Sequence, residues 1–188
     1  MADRKIAAIR SSLAEARALV DTLEFTLQSR KMIETMGWLP EAISIMEGQY
    51  RDFLSLSVAI KSLGFKIDIV PNRVIDEFWH MHVLDTEKYK SDCERVFGEM
   101  FHHYPYYGMR SEADRLAWLD AGDESGQLWK VCFGYDLYGT GEETVDPYAE
   151  EKMLNAVRSH SIVANSGAGA EFPGRARCRR QCAPMKCK

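Results

Sequence analysis

The 188-residue sequence contains no apolar run approaching the roughly 18–20 residues that span a bilayer, so no membrane span is expected. Its opening, MADRKIAAIR, has no uninterrupted apolar segment behind its charges. That argues against a secretory signal and makes a cytoplasmic location the expectation. β-Type alternation is nearly absent. Phe65, Ile67 and Ile69 alternate once with Lys66 and Asp68, without an evident partner strand, so FKIDIVP is expected to be an extended connector. The five cysteines are an odd number in such a chain and do not suggest a disulfide framework. Net positive charge is confined to one end. Residues 161–188 carry +5 of a formal total of −4, leaving −9 on the rest, and an acidic body disfavours nucleic acid as its partner.

What the chain does have is core material. Hydrophobic residues make up 46% and charged residues 28%, enough for one folded domain without a metal or disulfide to hold it. Ile6, Ile9, Leu13, Ala16, Val20, Leu23 and Leu27 recur by threes and fours. This predicts a helix over 3–35 whose seam either packs on its own domain or forms a coiled coil with itself or a partner protein. Gly37-Trp38-Leu39-Pro40 breaks the pattern, and Pro40 opens a helix from about Glu41 to Ser62, with Gly64 as its stop. Ser111 and Asp114 resemble a capping box for a helix through Leu116, Trp118 and Leu119. A separate short helix is expected around Leu128–Phe133, and another from Asp146-Pro147 to about His160. Beyond Ile162 the periodicity fails. The expectation is an all-α, single helical-bundle domain of five to seven helices over 1–160, with its core module at 41–108. A disordered, flexible, basic tail follows over 161–188.

Chemically capable side chains concentrate in PNRVIDEFWHMHVLDTEKYKSDCERVFGEMFHHYPYYG, residues 71–108, which hold four of the five histidines. Asn72 is placed to cap a helix. At about 100° per residue, Ile75, Trp79, His82 and Val83 share one face, while Asp76 and His80 stand one turn apart on its flank. His80 and His82 are about 200° apart and cannot grip one ion together. Asp85 ends this helix and can cap the next, on which Tyr89, Cys93, Val96 and Phe97 form a core stripe.

An acid, then Trp-His-x-His, Leu-Asp, Tyr, Cys and Gly read here as Asp76, Trp79-His80, His82, Leu84-Asp85, Tyr89, Cys93 and Gly98. With Gln49–Leu54 and Val70-Pro71, this resembles the glycine-rich domain protein-like family, in the form of its short bacterial members. The resemblance covers about Gln49–Gly108 and implies a shared helical module, not an activity.

Asp76 and His80, joined by His102 or His103 if the two helices fold back on each other, offer one carboxylate and two imidazoles. That set suits zinc or non-haem iron(II). The competing reading is an ordinary Asp76–His80 hydrogen bond. His82 is expected as a neutral core histidine bonded to Asp85 or a backbone carbonyl, with Trp79, Tyr89 and Cys93 as structural or supporting residues. Tyr104, Tyr106 and Tyr107 are expected as a packed loop. Cys178, Cys182 and Cys187, among arginines, are candidates for modification or soft-metal binding. Three functions follow: a helical binding or interaction module with a metal site, a metal-dependent enzyme using the same ligands, and a leader-containing precursor whose Cys-rich tail is modified.

Overall fold

Pro40 begins the helix around which the others assemble. In the computed structural model, which describes residues 2–138, it spans Pro40–Ser62 and is designated α3. Its N-terminal half has one buried stripe, but every residue from Phe53 to Ile60 is buried. A helix buried on all sides is a central helix.

Among the described residues there are five more helices: α1 (Ala2–Val20), α2 (Thr26–Met36), α4 (Arg73–Leu84), α5 (Thr86–Phe97) and α6 (Glu112–Phe133). No strand occurs among the described residues. One apolar cluster draws on all six helices, from Ile9 and Val20 through Phe53 and Phe78 to Trp129 and Leu137. The all-α bundle is therefore as the periodicity predicts. No helix among the described residues is long and apolar enough to cross a membrane. The helix expected from Asp146 to His160 and the tail with Cys178, Cys182 and Cys187 lie outside the described residues.

The helix predicted over 3–35 is two helices. α1 packs along α3, and the seam residues Ile9, Ala16 and Val20, with Leu23 just past its end, enter the common core. The seam is thus used within the chain, and Leu27, which should continue it, is exposed. No glycine or proline marks the break. Arg51 of α3 makes it, donating Nη1 to the Val20 carbonyl at 3.1 Å and Nη2 to the Leu23 carbonyl at 3.0 Å. These are carbonyls a continuing helix would have bonded itself. Phe25 then turns inward against Tyr50, Phe78 and His82, with the Arg51 guanidinium 4.8 Å above its ring.

Residues 65–70 form the expected connector, held at Val70. The Val70 N–H donates to Ser125 Oγ at 2.9 Å, and its carbonyl accepts from the Tyr138 hydroxyl at 2.8 Å. Asn72 caps α4 as anticipated, its Oδ1 accepting from the Ile75 N–H at 2.8 Å. α6 is one continuous helix where two pieces were expected. Gly126 lies inside it, and a side chain there would meet the Tyr138 ring at 3.3 Å. The glycine permits close packing and does not end the helix.

Candidate metal centre on α4

Asp76 lies in the first turn of α4, where the positive end of the helix favours a carboxylate. His80 follows one turn later, its Nε2 3.6 Å from Asp76 Oδ2. The third member arrives from outside the helix. Gly98 ends α5 with φ +74, a conformation that costs glycine little, and residues 99–103 run back across α4. His103 Nε2 then donates to Asp76 Oδ1 at 2.8 Å, and its ring lies 4.7 Å from that of His80. One ligand atom from each of Asp76, His80 and His103 lies within 4.8 Å of the others. His102 is exposed and stands outside this group.

Aromatic packing supports the return. Phe101 stacks on Trp79 at 5.1 Å and on Phe97 at 4.4 Å between centroids, and Trp79 meets the His103 ring edge-on at 4.5 Å. Trp79 Nε1–H donates to the Tyr89 hydroxyl at 2.9 Å, and that hydroxyl donates in turn to the Phe101 carbonyl.

Ligands about 2.0–2.1 Å from a tetrahedral zinc stand roughly 3.3 Å apart. The separations from Asp76 are 2.8 Å from Oδ1 to His103 and 3.6 Å from Oδ2 to His80, and one ligand atom from each residue lies within 4.8 Å of the others. To hold one ion the three side chains would have to draw in towards the spacing of zinc ligands. The cluster has an open side, since the His80 side chain is 48% exposed. A bound ion would therefore keep positions for water or another ligand.

His82 points the opposite way and has other partners than those expected. Its Nε2–H donates to Asp92 Oδ2 at 3.0 Å, and its Nδ1 accepts from the Tyr50 hydroxyl at 2.9 Å. Lys88 pairs with the same Asp92 oxygen. Asp85 is not the partner: it accepts from Gln28 Nε2 at 3.2 Å and makes no side-chain cap to α5. The register of α5 decides this, because Asp92 lies beneath His82 while Asp85 occupies the bend between the helices. Burial pushes the His82 pKa down to about 4 against the opposing pull of Asp92, so the ring is neutral at pH 7. Burial also holds the Tyr50 phenol well above its ordinary range.

Cys93 packs in the core stripe, and burial raises its thiol pKa. A protonated buried thiol is a small apolar group and not a nucleophile. Burial raises the half-buried Cys132 thiol as well. Of the aromatic loop, Tyr107 is half-buried and bonds the Ala117 carbonyl, whereas Tyr104 and Tyr106 are exposed. The periodicity gave no sign of Arg51 or Asp92 as key residues. A buried carboxylate at position 92 within an apolar stripe was the one available signal, since such a group requires a cationic or donor partner.

No curated protein and no solved structure matches this chain. A family model does match, over residues 17–122, and it is that of the UCP032817-like family. This overturns the resemblance to the glycine-rich domain protein-like family drawn from the Asp76-to-Gly98 pattern. Trp79, His82, Tyr89 and Cys93 of that pattern are buried, and Gly98 ends α5, so much of the motif reflects the packing of two helices. The match takes in α2 through α5, the loop that carries His103 and more than half of the chain, which belongs to the UCP032817-like family.

Proposed function

We propose that the protein is a helical binding module whose chemistry resides in a divalent transition-metal centre on Asp76, His80 and His103. The carrying observation is convergence: three donors spanning 27 positions of sequence bring their ligand atoms within 4.8 Å. One carboxylate and two imidazoles suit zinc or iron(II). Binding at His103 Nε2 would require that nitrogen to give up the hydrogen bond it makes to Asp76.

The open side supports a second reading, a zinc or non-haem iron enzyme using the same ligands. Three protein donors with free positions are the arrangement catalytic metal sites employ. Metal-dependent turnover of a substrate separates it from the binding module.

The test is metal content after purification without chelator, followed by titration of the stripped protein with Zn(II) and, anaerobically, Fe(II). One ion per chain is expected, lost in Asp76→Asn, His80→Ala and His103→Ala and retained in His102→Ala. A folded wild-type chain that takes up neither ion at micromolar concentration overturns the proposal.

A further inference from the structure

We propose that Tyr89, oriented by Trp79, is the positioning residue of this centre, fixing His103 through the backbone of Phe101. The inference rests on the metal reading above and deepens it by naming what sets the affinity of the site.

Two of the three ligands, Asp76 and His80, belong to a regular helix, and their spacing follows from helix geometry. His103 is different. It sits on a loop, and no helical hydrogen bond fixes its place. Phe101 stacks on Trp79 and Phe97 and meets Phe53 at a tilt, contacts that lack the directionality of a hydrogen bond. The bond from the Tyr89 hydroxyl to the Phe101 carbonyl is a directional restraint on the backbone two residues before His103, beside the weaker bond of the Phe101 backbone to the Cys93 thiol. The Tyr89 hydroxyl also neighbours the Cys93 thiol, a weak hydrogen-bonding partner beside a carbonyl. Tyr89 is buried, its oxygen accepts the Trp79 indole N–H at 2.9 Å, and one proton remains to donate. Burial raises the phenol's pKa, so the hydroxyl remains a donor at any ordinary pH.

Trp79 serves the site twice. Its N–H aims the Tyr89 hydroxyl, and its ring edge meets the His103 imidazole at 4.5 Å, restricting how that ring can tilt. Metal distances tolerate only about 0.2 Å of error, so a small drift of the loop would remove one of three ligands. The return has other polar restraints: the exposed and correspondingly weak Glu99–Lys61 ion pair, a backbone bond of Phe101 to the Cys93 thiol, and the His103–Asp76 bond, which metal binding would have to give up.

Tyr89→Phe keeps the ring and deletes the hydroxyl. Titration with Co(II), read by its visible absorption, reports both affinity and ligand geometry. Roughly a 10-fold or greater loss of Co(II) affinity is expected, with a changed visible spectrum and unchanged helical content. Trp79→Phe, which removes the aiming N–H, is expected to act in the same direction and decides the matter if Tyr89→Phe does not fold. Ile9→Val, a core change on α1, lowers stability without touching this chain of contacts and is expected to bind Co(II) as the wild type does. Variants at Tyr89 and Trp79 with wild-type affinity and spectrum overturn the positioning role while leaving the metal centre intact. A loss matched by Ile9→Val also overturns it, since the effect would then be one of general stability. A wild-type chain that binds no Co(II) overturns the metal centre, and the positioning role with it.

Discussion

His80 and His82 stand two residues apart on α4, yet the His80 side chain is 48% exposed beside Asp76 and His103, while that of His82 is 2% exposed between Tyr50 and Asp92. A rotation of about 200° separates them. The outer histidine has a half-exposed carboxylate, a second imidazole and an open side. The inner one has every polar atom engaged and no room. One helix thus carries two histidine environments suited to opposite tasks, ligand exchange on one side and specification of a unique core on the other. The difference is one of direction, and it can be tested by disturbing each side separately.

The largest stability effect is expected on the inner side. His82→Ala leaves the Tyr50 hydroxyl without its acceptor and removes one partner of a buried carboxylate, beside a new cavity. About 3–5 kcal/mol of stability should be lost in urea unfolding. A loss below about 1 kcal/mol would show that water or Lys88 replaces the ring without penalty.

Acid should act on the same residue. The folded His82 has a pKa of about 4 against an ordinary value of 6.5, so the unfolded chain takes up the proton first. Its contribution is fully present above pH 6.5, is lost as pH falls from 6.5 towards 4, and changes no further below that. The pKa difference corresponds to about 3 kcal/mol across this window. Urea midpoints between pH 7 and 4 should fall accordingly in the wild type and more shallowly in His82→Gln, which cannot titrate. Parallel curves would remove His82 as the cause.

On the outer side the signature reverses. His80→Ala should abolish stoichiometric metal binding while changing the stability of the metal-free protein by no more than about 0.5 kcal/mol. A large loss of metal-free stability would mean that the Asp76–His80 pair is structural and the two sides are not so different. His102→Ala, next to a proposed ligand but exposed, should change neither metal content nor unfolding, and it calibrates the smallest effect.

Much of this arrangement was legible in the sequence where one residue type determines one local geometry. Pro40 begins α3, Asn72 caps α4, Ser111 caps α6, and the four-residue spacing puts Asp76 and His80 together. The sequence also allowed a fold-back of the second helix, but not the choice of His103 over His102. Adjacent side chains in a loop diverge with backbone angles that no pattern encodes. The break between α1 and α2 was illegible because Arg51, some thirty positions away, makes it. The partner of His82 was misjudged for a related reason. Asp85 is nearer in sequence, but only the packing of α5 beneath α4 brings Asp92 to the ring.

The connector before α4 has a further consequence. Asn72 donates Nδ2–H to the Leu137 carbonyl at 2.7 Å, and Val70 is held from both sides by Ser125 and Tyr138. These bonds close a loop of chain that contains α4, α5 and the His103 segment, so its ends meet and the turn bearing Asp76 starts from an anchored point. Bringing such distant ends together costs chain entropy on folding, a cost that grows only slowly with their separation, and these bonds help to offset it. The residues that shut the loop supply no ligand, and Leu137 and Tyr138 lie beyond the span shared with the family, 17–122. A polypeptide cut at residue 122 would keep all three donors and lose the latch that brings the two ends of their loop together.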